Sequence, residues 1–214
     1  MKISEVEFGS LLTYSPHGNS VKEEESKAVM RNLKNDNVLS SGILTSEYFA
    51  RAIKKDIKKF PFVNYFNSNT ILVPTPKSSL LKPDTLWVPR RITTALINNG
   101  LGKASEECLE RVIALPKSSK SIPVNRPKPL QHYESMRVKK LLFDPEEIVL
   151  VDDVVTRGAT ILGAVNRLAE VFPNTRIRAF AVMRTMSNPE EFSEIVDPCV
   201  GTIRLSGENA RRKP

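Results

Sequence analysis

Short apolar, β-branched runs alternate along the chain with longer segments whose apolar residues recur at helical spacing. The runs predict strands over 70–74, 147–151, 176–183 and 201–205, and a helix is predicted over 159–171. A strand, a helix and a strand at this spacing form a βαβ unit, which predicts an α/β fold with a parallel sheet and flanking helices. Ligands of such sheets bind at the carboxyl ends of the strands.

The first 65 residues carry a different pattern, because two amphipathic helices dominate them. Ser20 is a predicted helix cap, and its helix runs toward Leu33 with glutamates in the first turn, where they suit the helix dipole. The second helix follows Thr45 and presents an apolar stripe opposite a lysine-rich face. We therefore predict a helical extension or hood over residues 1–65 and an α/β core over residues 66–214.

Composition adds an excess of positive charge, part of which is local. Lys and Arg number 32 and Asp and Glu 24, so the net charge is +8. This excess suits an anionic partner: nucleic acid, a phosphate-bearing metabolite or an acidic surface. Between Lys117 and Lys140, seven Lys or Arg stand against one Glu, and four prolines between 116 and 129 break regular structure. We predict a long basic loop in this segment, whereas residues 104–115 fit either a helix or a strand.

Two cysteines, Cys108 and Cys199, are too few for a disulfide framework and form no CxxC zinc motif. No apolar run approaches the ~20 residues of a membrane helix, and the first residues lack the apolar core of a signal peptide. We therefore expect a cytoplasmic protein with no membrane partner.

The most informative stretch begins with the strand predicted over 147–151. Asp152 and Asp153 come at the predicted end of this strand, and a five-residue loop containing Gly158 leads into the next helix. Backbone N–H groups of such a loop, backed by the helix dipole, form an anion site, to which Thr156 and Thr160 add hydroxyl groups. The carboxylates can accept hydrogen bonds from sugar hydroxyls or hold Mg²⁺ through water. These features fit a phosphorylated ribose, and the simpler alternative is a pair that ends a strand and caps a helix.

The stretch from Ile148 to Thr160 resembles the phosphoribosyl-pyrophosphate (PRPP) motif of type I phosphoribosyltransferases. The resemblance implies a type I phosphoribosyltransferase-like sheet, in which Asp152 and Asp153 act in catalysis and hold Mg²⁺ indirectly, through water or PRPP. The residues implied to bind the ribose and the 5′-phosphate are Asp152, Asp153, Val154, Val155, Thr156, Arg157, Gly158, Ala159 and Thr160. The implied reaction is the displacement of pyrophosphate from C1 of PRPP by a nitrogen acceptor, which the sequence does not identify.

This family also places a pyrophosphate-binding loop after an earlier strand, and the chain has a candidate after the strand at 70–74. The candidate residues are Thr75, Pro76, Lys77, Ser78 and Ser79, with Arg90 and Arg91 as further candidates. The lysine and hydroxyl groups suit phosphate oxygens. A proline-rich surface turn and solvated arginines are the alternatives that stay open.

The flexible loop that covers the substrate in this family falls between the two motifs, where residues 116–143 match its placement. Its candidate residues are Arg126, Lys128, Gln131 and Arg137, and His132 is a candidate for loop closure or proton handling. The chain is most similar to the ComF-like competence-associated phosphoribosyltransferases, which share a proline-rich strand end, a basic segment and an acidic pair in this order. Their N-terminal cysteine-rich module is not found in this sequence.

Two function classes stay open. The first is an enzyme that binds PRPP with Mg²⁺ and releases pyrophosphate, for which the resemblance suggests a homodimer. The second is a non-catalytic PRPP sensor or a nucleic-acid-associated protein of competence, DNA processing or regulation, which the basic loop would suit. Arg211, Arg212 and Lys213 could contact a phosphate backbone, although we expect a disordered, solvated tail there.

Overall fold

The computed structural model describes residues 1–116 and 126–214, in which strands and helices alternate. The elements in chain order are β1 (Glu5–Tyr14), α1 (Val21–Asn35), α2 (Thr45–Asp56), β2 (Thr70–Pro74), α3 (Val88–Asn98), β3 (Ala104–Ser105), β4 (Leu109–Arg111), α4 (Pro129–Glu134), β5 (Met136–Val138), β6 (Glu147–Val155), α5 (Ala159–Val171), β7 (Arg176–Thr185), β8 (Val196–Ser206) and β9 (Asn209–Lys213). Short 3₁₀ turns also lie at Ile57–Lys59, Val63–Tyr65 and Pro189–Glu191.

Seven strands form the main sheet, in the order β3-β2-β6-β7-β1-β8-β9. Neighbours among the first five run parallel, and β8 and β9 add an antiparallel edge. β4 and β5 form a separate antiparallel pair. The predicted α/β class, with a mostly parallel sheet and flanking helices, is confirmed.

The segment before α1 is an inner strand of the sheet and not part of a helical extension. β1 lies between β7, to which it runs parallel, and β8, to which it runs antiparallel. Exposed glutamates and buried apolar residues alternate only from Glu5 to Phe8. From Gly9 to Thr13 the strand is buried on both faces, and Gly9 and Ser10 interrupt its apolar run. A Cβ on Gly9 would lie 2.9 Å from Cβ of Phe62, which shows how closely the segment after α2 packs on β1. The prediction of a separate helical extension over residues 1–65 is therefore wrong, although both predicted helices exist.

Helices cover both faces of the sheet. α1, α2 and α3 pack on one face over a core that includes Leu33, Ile53, Leu96 and Phe180. α5 packs on the other face, over a core that includes Ile148, Leu150 and Ile203. α1 begins after the predicted cap Ser20, which forms a reciprocal capping box with Glu23, and α5 has the predicted bounds. No helix in the described ranges is long and apolar enough to cross a membrane.

The last two strands form a hairpin that packs against the start of α5. Ile203 of β8 lies opposite Arg212 of β9, and Ile203 and Ala210 both belong to the core beneath α5. The predicted strand over 201–205 is therefore part of a longer strand. The expectation of a disordered tail is wrong for residues 211–213, because their backbone pairs with β8 and Ala210 anchors the strand in the core.

Part of the segment predicted as a flexible loop is folded. α4 and β5 lie within residues 116–143, so that prediction is wrong for residues 129–138. Pro129 occupies the first turn of α4, where its missing N–H removes no helical hydrogen bond. α4 packs so closely on α5 that a Cβ on Gly163 would lie 2.7 Å from Cβ of His132. Residues 117–125 of the predicted loop lie outside the described residues.

The direction of the connections reverses between β2 and β6. β2 continues through α3 to β3 on one side, whereas β6 continues through α5 to β7 on the other, and α3 and α5 cover opposite faces. Such a reversal opens a crevice at the carboxyl ends of the two strands, where ligands bind in open α/β sheets. We name the region between the 75–79 loop and residues 152–160 the switch-point crevice. Both sequence motifs lie there.

Candidate functional site

The loop after β2 is fixed at the edge of the switch-point crevice by main-chain contacts. The Thr75 N–H donates to the Val151 carbonyl at 2.8 Å, and the Thr75 carbonyl accepts from the Trp87 indole N–H at 2.8 Å. The buried Thr75 hydroxyl has no hydrogen-bond partner among the described residues. The 75–79 loop therefore lies next to the acidic strand.

The sequence predicted that the acidic pair lies at the end of its strand, but the pair lies inside β6. β6 stays paired to β7 through Val155, two residues beyond the pair, whereas β2 ends opposite Val151. The carboxylates thus lie where β6 has lost its β2 partner. Asp152 Oδ1 accepts from the Asp153 N–H at 2.9 Å, and Asp153 Oδ1 accepts from the Val154 N–H at 2.6 Å. These bonds fix the orientation of both carboxylates.

A lysine that the sequence analysis did not single out lies against this pair. Lys34, in the last turn of α1, places its Nζ 2.7 Å from Asp153 Oδ1. Burial opposes the charge on Lys34, but the carboxylates of Asp153 and Asp152 outweigh it and raise the pKa of the ammonium. Burial and the Asp153 charge raise the pKa of the Asp152 carboxyl. The two bonded residues are 119 positions apart, so no local spacing could have revealed the contact.

Arg111, the last residue of β4, connects the 75–79 loop to α4. Its Nε donates to the Lys77 carbonyl at 2.9 Å, its Nη1 donates to the Ser135 hydroxyl, and its Nη2 lies 3.5 Å from His132 Nδ1. Burial lowers the pKa of Arg111 to about 10, and the Asp152 charge acts in the opposite direction. Sequence reasoning missed this residue because it left residues 104–115 open between a helix and a strand.

His132 is buried in α4 and does not lie on an open loop. Its Nε2 lies 3.4 Å from the Thr160 hydroxyl, at the start of α5. Burial and the Arg111 charge lower the pKa of His132 to about 3, so the imidazole is neutral at physiological pH. A group with so low a pKa is a poor proton acceptor. Its geometry supports instead a contact that orients the Thr160 hydroxyl.

The turn between β6 and α5 is shaped to receive an anion. Gly158 caps α5 with φ +87°, in the left-handed region that favours glycine, and no side chain of the described residues caps the helix. Arg212 Nε donates to the Thr156 carbonyl at 2.8 Å and braces the turn from the hairpin. The N–H groups of the first helical turn and the Thr160 hydroxyl are the groups that would meet a phosphate.

Several of the predicted cations lie on the surface and are already paired. Arg90 pairs with Glu107, Lys128 with Glu208 and Arg137 with Glu110. Gln131 accepts from the Lys128 N–H at the start of α4, Arg91 is exposed on α3, and Arg126 is half-buried. The structure therefore gathers the 75–79 loop, the acidic pair and the 156–160 turn, whereas Arg90, Lys128 and Arg137 are held by surface carboxylates.

A cleft of about 380 Å³ lies on the outer side of the 75–79 loop. Its lining combines apolar side chains with both signs of charge, and includes Lys77, Trp87, Glu107, Leu109, Glu110 and Arg111. Lys77 and Arg111 thus link this cleft to the switch-point crevice.

The acidic pair suits a divalent cation that arrives with a ligand. Within residues 1–116 and 126–214, no three His, Cys, Asp or Glu side chains gather into a cluster that could hold a metal by itself. Mg²⁺ is commonly bound by one or two carboxylates together with substrate phosphates and water, and Asp152 and Asp153 fit that donor set.

A scan against protein-family models finds no match for this chain, and a search of curated proteins finds no significant relative. The geometry of the switch-point crevice therefore carries the functional argument.

Proposed function

We propose that the protein binds PRPP in the switch-point crevice and transfers its phosphoribosyl group to a nitrogen acceptor with release of pyrophosphate. The observation that carries this proposal is the hydrogen bond from the Thr75 N–H to the Val151 carbonyl, which sets the loop after β2 against the acidic strand. PRPP has a pyrophosphate, a ribose diol and a 5′-phosphate, so it needs a basic loop, carboxylates and an anion-binding turn within one crevice. A type I phosphoribosyltransferase-like fold is part of the same proposal.

Each part of PRPP would meet a chemically suitable group. Lys77 and the hydroxyls of the 75–79 loop would bind the pyrophosphate, and the first turn of α5 would bind the 5′-phosphate. Asp152 and Asp153 would accept hydrogen bonds from the ribose hydroxyls. When bound, Mg²⁺ would supply positive charge to the leaving pyrophosphate, held by these carboxylates through water or PRPP.

In the proposed reaction, the nitrogen lone pair forms a bond to C1 while the bond from C1 to the pyrophosphate oxygen breaks. C1 is electron-poor between these events, and the carboxylates of the crevice stabilise the developing positive charge. Pyrophosphate leaves with the electron pair, and the acceptor nitrogen releases its proton to water. Because His132 is neutral and buried, positioning and electrostatics are the main contributions of these residues.

The ion pair between Lys34 and Asp153 favours a second candidate, a non-catalytic PRPP sensor. Lys34 occupies Asp153 Oδ1 at 2.7 Å, so a ribose hydroxyl would have to share or displace it. Lys34 belongs to the last turn of α1. Its displacement would transmit binding to a helix without any turnover.

The experiment that tests both candidates measures PRPP binding by calorimetry and, separately, PRPP-dependent release of pyrophosphate with ammonia and a panel of nitrogen heterocycles. Asp152→Asn/Asp153→Asn should weaken PRPP binding by about 100-fold, because two charged hydrogen-bond acceptors are lost. The matched control is Asp144→Asn, which removes an exposed carboxylate and should bind as the wild type does.

The outcomes separate the candidates. Release of pyrophosphate with any acceptor supports the transferase. Binding without release supports the sensor. No PRPP binding at millimolar Mg²⁺ would overturn both.

A further inference from the structure

A second cleft lies between the turn after β6 and the β8–β9 hairpin, on the hairpin side of that turn. Its volume is about 520 Å³. Four cations contribute to its lining, Arg157, Arg211, Arg212 and Lys213, and none of the lining residues in the described ranges is a carboxylate. We name it the hairpin cleft.

One cation of the hairpin cleft, Arg212, is held close to a further cation, Arg184. Arg212 is fixed by donation to the carbonyls of Thr156, Thr185 and Pro214, which orient the guanidinium. Burial and the charge of Arg184 lower the pKa of Arg212 to about 10. Asp197, a carboxylate in this region, is paired with Arg184. Gathering like charges costs free energy, which an anionic ligand would offset.

Two exposed cations of the hairpin cleft belong to strand β9. Arg211 and Lys213 are exposed and two residues apart on β9, so they project from the same face of the strand about 7 Å apart. Arg157 is exposed on the opposite wall of the cleft. This arrangement presents charges to more than one anionic group at a time.

The rest of the lining indicates what kind of anion fits. It consists of Thr156, Ser187, Ser206, Asn209 and Ala210, so small hydroxyl and amide side chains predominate. Nucleic-acid-binding grooves that hold bases do so largely by stacking them on aromatic side chains, and the described lining includes none. Recognition through phosphate groups is therefore favoured over recognition of bases.

We propose that the hairpin cleft binds the linked phosphate groups of an oligophosphate or of a nucleic-acid backbone. Arg157, Arg211 and Lys213 supply exposed charges, and Arg212 supplies a fixed one. The hairpin cleft shares Thr156 and Arg157 with the turn proposed to receive the 5′-phosphate of PRPP, whereas Arg211, Arg212 and Lys213 lie outside the switch-point crevice.

The test uses the full chain and two probes, inorganic tripolyphosphate and a single-stranded oligothymidine, each titrated at several salt concentrations. Arg211→Ala/Lys213→Ala should weaken both probes by about tenfold or more, because two charge-assisted contacts are lost. For the oligonucleotide, the slope of log K against log salt should become shallower by about 1.4, since each single-strand phosphate contact contributes about 0.7. Both residues are exposed, so the variant should fold normally.

The matched control is Arg51→Ala, which removes an exposed arginine of α2 that pairs with Glu47 and does not line the cleft. It should bind both probes within about twofold of the wild type. Tighter binding of tripolyphosphate would assign the cleft to oligophosphates, and tighter binding of oligothymidine would assign it to a backbone.

Two results would overturn the inference. One is equal binding of both probes by the wild type and the double variant. The other is displacement of tripolyphosphate by PRPP from the wild type but not from Asp152→Asn/Asp153→Asn, which would place the probe in the switch-point crevice. Asp152→Asn/Asp153→Asn should leave tripolyphosphate binding unchanged, so a failure of the proposed function is recognised separately.

Discussion

The switch-point crevice and the hairpin cleft lie on two sides of the turn after β6 and differ in their balance of charge. Positive and negative groups lie together in the crevice, whereas positive groups predominate in the cleft. Burial lowers the pKa of Arg111 in the crevice and of Arg212 in the cleft, each to about 10. The Asp152 charge opposes the shift of Arg111, whereas the Arg184 charge adds to that of Arg212. A region with balanced charge suits a ligand that must be oriented, and an unbalanced one suits a ligand attracted by its charge.

The largest effect is expected at Gly158, which belongs to the turn that both regions share. A side chain there would be strained at φ +87°, and its Cβ would lie 2.6 Å from Cγ2 of Ile203. Gly158→Val should therefore destabilise the fold by about 3 kcal/mol. It should also weaken PRPP and tripolyphosphate binding together. Chemical unfolding and the two titrations measure these effects.

Gly42 provides the control for this substitution. Its φ of +78° is similar, but nothing lies within 4 Å of the Cβ position. Gly42→Val should cost only the backbone strain, about 1–2 kcal/mol, and should leave both ligands bound as in the wild type. Normal binding of either ligand by Gly158→Val would show that the two regions do not share the turn.

The features that the sequence predicts well depend on neighbouring residues. The strand at 70–74 is a compact β-branched run, and the helix at 159–171 follows a glycine and keeps its apolar periodicity. Ser20 and Glu23 form a capping box over three residues. In each case, the physical cause and its consequence lie within one or two turns of chain.

The features that the sequence misses depend on distant partners. β1 alternates only as far as Phe8, because the rest of this inner strand is buried on both faces, and the basic C-terminal segment becomes β9 because β8 is beside it. Lys34 and Arg111 gain their importance from contacts with Asp153 and with the 75–79 loop, which only the folded topology brings near them. The acidic motif could be recognised from sequence, whereas the cations that balance it could not.

A smaller effect on stability is expected when Arg111 is replaced. Arg111→Met deprives the Lys77 carbonyl and the Ser135 hydroxyl of a donor, which should cost about 2 kcal/mol of stability. Because burial and the Arg111 charge both lower the pKa of His132, that pKa should rise from about 3 but stay below its ordinary value. An NMR titration of the imidazole measures it.

Arg111→Lys is the matched variant, because it keeps a positive charge near the imidazole. The pKa of His132 should stay low in this variant. If Arg111→Met left the pKa of His132 unchanged, burial alone would account for the neutral imidazole. The Arg111 charge would then not contribute to the charge balance of the crevice.

The smallest effect is expected at Lys34, whose side chain is 45% exposed. Lys34→Met should cost about 1 kcal/mol near neutral pH, since solvent screens the lost ion pair. The Lys34 charge lowers the pKa of Asp152 against the larger effect of burial, so removing it should raise that pKa further. A carboxyl with a higher pKa in the folded state binds its proton more tightly there, so stability falls as pH rises above the unfolded pKa. Urea unfolding should show a larger deficit at about pH 8 than at about pH 5.

Lys22→Met, on the same helix, is the control because it removes an exposed partner of Glu194 that is remote from the acidic pair. Its effect should be small and equal at both pH values. A deficit for Lys34→Met that did not change with pH would mean that Lys34 contributes packing and not charge. Lys34→Met should bind tripolyphosphate as the wild type does, because the Lys34 charge balances the carboxylates of the crevice and lies outside the hairpin cleft. A change in tripolyphosphate affinity would therefore show that the crevice and the hairpin cleft share one electrostatic field.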